Sequence, residues 1–255
     1  MRKYLILFIF FVLIFQISLS NVIDFDENKE LNDSMLSSFI ALVENQMNKN
    51  LEIQRILSRT AELKSGKWML AKELISTYQL YEKFSLVWFS LPDGNYYRSD
   101  TGLTDKNLFD REYFPTLLNK NEVFGSVVIG KTSGEKSIVI AVPVISNSEV
   151  VSIIGSSIYC EEFTENLVKQ TNLPEDTFFF ILDSDGNIII NSNDEMPMEN
   201  TFNEGTTSLK ETSKRIFENS IGYDEFEYNG KLHKIIFKKS IVTDWYYVIG
   251  EIINN

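Results

Sequence analysis

Arg111 stands two residues before the adjacent aromatics Tyr113 and Phe114, in the stretch Leu108-Phe109-Asp110-Arg111-Glu112-Tyr113-Phe114. A guanidinium presents paired N–H donors at the spacing of two carboxylate oxygens, so an arginine between aromatic walls is suited to holding a small carboxylate. The plainer reading is a solvated turn, with Arg111 paired to Asp110 or Glu112 and the aromatics serving as core. At least one of Tyr113 and Phe114 is expected to be core in either case.

Other groups narrow the chemistry. Gly125-Ser126-Val127-Val128-Ile129-Gly130-Lys131-Thr132 satisfies the spacing of a phosphate-binding loop. Its interior is β-branched and Ser133-Gly134 forbids a helix after Lys131, so the context that motif requires is missing. Lys131 instead ends a strand beside the Arg111 segment, as a second carboxylate contact or a solvated strand end. Asp183-Ser184-Asp185-Gly186-Asn187 resembles the start of a calcium loop, but the glycine comes too early and the bidentate glutamate is missing, so a hairpin turn is expected. Cys160 and His233 are the only residues of their types, which excludes an intrachain disulfide, Cys/His zinc sites and His-based triads. No spacing of acidic residues nominates the carboxylate pair of a glycosidase. We expect no enzyme, cofactor or metal.

Charge excludes further classes. The chain has 255 residues, with 24 basic and 36 acidic side chains and a net charge of −12. Such a field repels nucleic acid and anionic membranes. Met1-Arg2-Lys3, the apolar run Tyr4 to Phe15 and the small residues of Ser18-Leu19-Ser20 read as a secretory signal cleaved before Asn21. The alternative is an uncleaved anchor, although the run is shorter than the ~20 residues a spanning helix prefers. No cysteine follows that would mark a lipoprotein. The product is expected to be periplasmic or extracellular, touching a membrane only if the segment is retained.

The remaining chain must position Arg111 and its neighbours. Asp26 to Leu63 reads as one helix of about 35 residues, ~50 Å long, with Met35, Phe39, Leu42, Val43 and Met47 and then Ile53, Ile56, Leu57, Thr60 and Leu63 on its stripe. Asn32-Asp33-Ser34 is an alternative cap for a shorter helix. A second helix spans Trp68 to Phe84, with Leu70, Leu74, Tyr78 and Tyr81 on one face. Leu86–Phe89 and Asn95–Ser99 flank the turn Pro92-Asp93-Gly94 as a hairpin. Asp105 to Asn119 is helical or irregular. Three strands follow at Gly125–Lys131, Ser137–Ile145 and Val150–Tyr159, then a short helix at Glu161 to Thr171. The order then repeats: a hairpin from Thr177–Leu182 and Asn187–Asn191, a polar stretch, a helix near Leu209–Asn219, and strands at Tyr223–Tyr228, Lys231–Lys239 and Asp244–Ile252. This is an internal repeat of architecture. Trp88, Tyr96 and Tyr97 alternate along the first hairpin, so one face lines core and the other pocket or solvent. Tyr97 is the pocket candidate. Trp245 is assigned to the core of the second module and Cys160 to a buried apolar role.

Taken together, Leu91-Pro92-Asp93-Gly94-Asn95-Tyr96-Tyr97, Asp110-Arg111-Glu112-Tyr113-Phe114, Ile138–Val144 and Val151-Ser152-Ile153-Ile154-Gly155 resemble a double Cache domain. Phe180-Ile181-Leu182-Asp183-Ser184-Asp185-Gly186-Asn187-Ile188 and Thr243-Asp244-Trp245-Tyr246-Tyr247-Val248-Ile249 continue the resemblance over nearly all of 30–253. It implies an α+β fold in which a long N-terminal helix carries two PAS-like modules, each a mainly antiparallel sheet. The implied divisions are a signal or anchor at 1–20, a helical spine at 21–84, a membrane-distal module at 85–172 and a proximal module at 173–255.

The resemblance also implies that the distal module binds ligand, with Arg111 and Tyr113 holding a carboxylate and Phe114 walling the site. Amino-acid-binding members carry an aspartate where this chain has Ser157, a tryptophan at Tyr113 and a tyrosine at Lys106. These departures count against an α-amino acid and favour a simple mono- or dicarboxylate. The resulting ligand set is Arg111, Tyr113, Phe114, Lys131, Ser157 and Tyr97. The expected function is an exported sensor for a small organic anion. No kinase, cyclase or methyl-accepting segment follows Ile253, so any signal is expected to pass to a membrane receptor or kinase partner. The competing readings are a PAS-like scaffold that binds no metabolite and an amino-acid-binding Cache protein.

Overall fold

Helix α1 (Lys29–Leu57) opens the part of the chain that the computed structural model describes, residues 29–253. The signal or anchor at 1–20 and the start of the helix at Asp26 lie outside the described residues. Among those described, no helix is long and apolar enough to cross a membrane.

The single helix expected to reach Leu63 is interrupted after Leu57. Thr60 Oγ1 donates to the Leu57 carbonyl at 2.8 Å and accepts from Leu63 N, capping the separate one-turn helix α2 (Ala61–Lys64). Serine and threonine offer the backbone such side-chain bonds in competition with the helical ladder, which is why they end helices. Asn32-Asp33-Ser34 lies inside α1 and caps nothing. Helix α3 (Trp68–Gln79) is shorter than expected. It buries Ala71, Ile75 and Tyr78, whereas Leu70 and Tyr81 are exposed. Of the expected face Leu70, Leu74, Tyr78 and Tyr81, only Tyr78 is buried, because the buried stripe runs through Ala71, Ile75 and Tyr78.

The chain divides into two compact units, residues 44–163 and the flanking segments 29–43 with 164–253. The first contains β1 (Ser85–Ser90), β2 (Asn95–Arg98), β3 (Gly102–Asn107), the short α4 (Phe114–Leu118), β4 (Val123–Ile129), β5 (Lys136–Ser146) and β6 (Glu149–Tyr159). Its six-stranded sheet is antiparallel throughout, in the order β3-β2-β1-β6-β5-β4. The second half of β3, from Asp105, falls in the segment expected to be helical or irregular. β3 is an edge strand whose sequence, Gly102-Leu103-Thr104-Asp105-Lys106-Asn107, has one apolar side chain, and that one is exposed.

Strand alternation gives this sheet two faces. Val87, Phe89, Ile138, Ile140, Ile154 and Ile158 lie on one. Trp88, Tyr96, Val139, Ala141 and Ile153 lie on the other, packed with Leu108, Tyr113, Phe114, Leu117 and Val123. On the first face Gln54 of α1 donates to Ser156 at 2.9 Å. With its nitrogen turned to donate, the Asn50 amide lies 2.9 Å from a Glu82 carboxylate oxygen and 2.7 Å from the Tyr78 hydroxyl. Ser85 donates to Glu82 at 2.9 Å. These polar groups occupy the buried stripe where Ile53, Ile56 and Leu57 were expected, and Ile56 is exposed.

Helix α5 (Cys160–Thr171) begins in the first unit and ends in the second. The second unit adds β7 (Thr177–Leu182), β8 (Ile188–Asn191), α6 (Thr207–Asn219), β9 (Ile221–Tyr228), β10 (Lys231–Lys239) and β11 (Tyr246–Ile253). Its antiparallel sheet has the order β8-β7-β11-β10-β9. One face packs Phe178, Phe180, Phe226, Phe237 and Val248 against Leu209 and Ile216 of α6. On the other, Phe39 of α1 sits 4.7 Å from Phe179 and 6.2 Å from Tyr247, centroid to centroid. Each fully buried phenylalanine contributes roughly 1.5–3 kcal/mol relative to exposure. The fold is therefore α+β, with an N-terminal helix and two antiparallel sheets.

Candidate functional site

A narrow pocket opens on the first sheet, on the face that carries Trp88 and Tyr96. Its floor comes from β1, β5 and β6 through Leu86, Trp88, Ser137, Val139, Ser157 and Tyr159. Trp88 can lie flat there because its cross-strand partner is Gly155, where a Cβ would overlap the indole ring. The indole N–H donates to Ser157 Oγ at 3.2 Å. The sequence Trp88, Gly155 and Ser157 thus fixes a hydroxyl beside an aromatic floor.

The walls come from two loops. Leu108 N bonds Gly94 O at 2.8 Å, Arg111 N bonds Leu108 O at 3.0 Å, and Phe114 N bonds Arg111 O at 2.9 Å, so the chain after β3 coils back over the sheet. That coil aims Arg111 and Tyr113 at the pocket. The opposite wall is the turn after β4, closed by Gly134 N to Gly130 O at 2.9 Å. No helix follows Lys131, in keeping with rejection of the phosphate-loop reading.

Four of the six candidate residues line this pocket: Arg111, Tyr113, Lys131 and Ser157. The other two do not. Phe114 is fully buried in the core of the first unit, beside Leu117 and Val123, rather than at the pocket wall. Tyr97 lies on the opposite face of the sheet, stacked on Trp68 with centroids 4.9 Å apart. Tyr96, its neighbour, lines the pocket instead, together with Trp88, Thr132 and Tyr159. The strand register decides this: Trp88 pairs with Arg98, so Tyr96 and Arg98 share the face of Trp88. Lys106 is an exposed residue paired with Asp105.

Electrostatically the pocket is cationic. Its lining includes Arg111 and Lys131 and no aspartate or glutamate. Arg111 Nη2 donates to the Ile129 carbonyl at 2.5 Å, whereas its buried Nε–H meets no acceptor. Lys131 Nζ donates to Asn107 O at 2.7 Å and to Asp110 Oδ1. That bond holds the Asp110 carboxyl below the usual carboxylate range. Arg98, outside the lining, forms a two-pronged bond to Asp100 at 2.9 and 2.7 Å and donates to Thr132 at 2.9 Å. Burial raises the pKa of the Tyr113 phenol, so it remains a neutral donor at physiological pH. The cavity is about 30 Å³, room for about two waters.

The remaining reactive side chains are placed in structure rather than chemistry. Cys160 is buried, and burial pushes its thiol up to about 12. His233 is buried in β10, stacked on Phe226 at 4.9 Å, with Nδ1 3.1 Å from Lys231 O; burial lowers its pKa. Trp245 is buried. Asp183 accepts from Asp185 N and Asn187 N at 2.9 Å each, as a turn does. No cluster of metal-ligating side chains occurs among the described residues.

Residues 25–251 match the Cache domain family (dCache_1). The chain belongs to that family. Two similar solved structures are the sensory domain of the Campylobacter jejuni chemoreceptor Tlp3 with isoleucine bound, and the sensor domain of the V. cholerae histidine kinase DctB. The first is 14% identical with a TM-score of 0.64, covering 87% of this chain and 91% of the other. The second is 14% identical with a TM-score of 0.63, covering 88% and 96%. The ligand-binding domain of the Pseudomonas aeruginosa chemoreceptor PctB in complex with L-Arg is 15% identical, with a TM-score of 0.64 and coverage of 89% and 87%. At these identities the likeness is one of fold. No curated protein matches this Cache domain in sequence. Its family is one of sensor and ligand-binding domains.

Proposed function

We propose that the chain is the ligand-binding part of an extracytoplasmic sensor and takes a small organic anion by its carboxylate, in the pocket of the first sheet. The observation that carries this is the buried Arg111 Nε–H without an acceptor, in a lining that holds two cations and no carboxylate. A buried donor left unmade is costly, and a ligand carboxylate would satisfy it with a charge-assisted bond. Tyr113 and Ser157 would add neutral hydrogen bonds, Trp88 and Tyr96 the apolar floor. The pocket module would be 85–172, with the helical spine at 21–84 and the second module at 173–255. The leader 1–20 would be cleaved before Asn21 or kept as an anchor. The signal would pass to a membrane receptor or kinase.

A thermal-shift screen of small carboxylates and amino acids tests the reading, because a ligand stabilises the folded state by mass action. Arg111→Ala should weaken binding of any hit by about ten- to a hundredfold, since a hydrogen bond to a charged group contributes about 1.5–3 kcal/mol. Unchanged affinity in that variant would falsify the assignment. An amino-acid ligand is the second reading, motivated by the isoleucine and L-Arg complexes of the similar chemoreceptors. The lining here offers no anion to an ammonium. Ser157→Asp should supply one, and a gain of amino-acid binding only in that variant would favour the anion reading of the parent pocket.

A further inference from the structure

The two cations in the pocket lining differ in what already holds them. Arg111 keeps a buried donor without an acceptor. Lys131 has three N–H groups, and two are committed, one to the Asn107 carbonyl and one to Asp110. Asp110 itself is not part of the lining. Its side chain is 72% exposed and that of Lys131 only 22%, so the pair joins a solvated carboxylate to a sheltered ammonium.

We propose, resting on the carboxylate reading of this pocket, that Asp110 is a specificity-determining residue: an internal carboxylate that occupies Lys131 and restricts the pocket to monocarboxylates. With Asp110 seated, Lys131 and Asp110 neutralise each other. Arg111 is then the one cation of the lining not committed to an anion. A monocarboxylate matches that single charge. A dicarboxylate brings a second charge that must displace Asp110 or lie unpaired among Trp88, Tyr113 and Val139, and an unpaired charge in such surroundings is strongly disfavoured. Sequence adjacency makes the division possible. Asp110 and Arg111 are neighbours, and the coil after β3 sends one to the rim and the other into the wall.

The test is calorimetry on the full chain with propionate and succinate as probes. Wild type should bind propionate more tightly. Asp110→Asn keeps an acceptor and removes the charge; it should shift the succinate-to-propionate affinity ratio towards succinate by about two- to fivefold, the range expected of a partly exposed ion pair. Glu112→Gln, an exposed neighbour with the same change in net charge, should leave the ratio unchanged and so separates the contact from the long-range field. A wild-type preference for succinate, or equal ratios in the two variants, would overturn the proposal while loss of propionate binding in Arg111→Ala kept the pocket. If neither probe binds wild type, or Arg111→Ala binds both as before, the carboxylate reading fails and this inference fails with it.

Discussion

The two sheets solve one packing problem and finish it differently. Each has a glycine on a long central strand opposite an aromatic of the neighbouring strand: Gly155 beneath Trp88 in the first, Gly250 beneath Phe178 in the second. In the second the space above is filled by the 13-residue α6, whose Leu209 and Ile216 meet a bed of phenylalanines. In the first it is covered by a coil and the five-residue α4, and the uncovered end holds Arg111, Lys131 and a hydroxyl. A full helix contributes stability. A coil that delivers charged side chains to the sheet yields some of that packing and gains a place for an anion.

The contrast can be broken most directly at Leu209. Leu209→Ala should cost about 2–5 kcal/mol in urea unfolding, because it opens a cavity under a tightly covered sheet. A loss below about 1 kcal/mol would mean that the second sheet is loosely covered too. Next come the glycines. Gly155→Ala and Gly250→Ala should each cost about 1–3 kcal/mol by overpacking. Only Gly155→Ala should also weaken ligand binding, since it displaces Trp88; equal binding in both variants would erase the distinction between the sheets.

A third, smaller effect is the pH response of the polar cluster behind the first sheet. Burial raises the Glu82 pKa, against weaker opposing contributions from Ser85, Lys49 and Asn50; Tyr78, its phenol also raised by burial, faces it. The folded state therefore binds the Glu82 proton more tightly than the unfolded chain. Its stabilising contribution is complete below the ordinary carboxylate range and is lost as pH rises through the raised folded value. Glu82→Gln should remove that decline and unfold at higher urea than wild type near pH 7. A variant with an unaltered pH profile would show that Glu82 is not the group responsible. The smallest effect is at Tyr113. Tyr113→Phe removes one neutral donor and keeps the ring, so affinity should fall by about three- to tenfold, less than for Arg111→Ala.

Much of this was legible in the chain. Continuous β-branched runs such as Ile138–Val144 and aromatic ones such as Phe178–Ile181 can hardly be anything but central strands, and they set the two-sheet fold. β3 was not legible because an exposed edge strand needs no apolar pattern. The buried stripe of α1 was misread beyond Met47 because Asn50 and Gln54 occupy it by satisfying one another's neighbours, a property of the assembled core rather than of either residue. At the site, residue types pointed to Arg111, Tyr113 and Lys131, and the resemblance to the Cache family pointed to Ser157. Side-of-sheet assignments failed for Tyr97, which needed the register of a neighbouring strand, and Phe114 was drawn into the core by the turn of α4.

The indole of Trp88, flat over Gly155 with its N–H on Ser157, has an optical consequence. The chain has three tryptophans; Trp68 is stacked on Tyr97 across the sheet and Trp245 is buried in the second unit. Emission from Trp88 alone should change when an anion arrives beside its ring. A Trp68→Phe, Trp245→Phe double variant would then be a self-contained, label-free fluorimeter of its own occupancy.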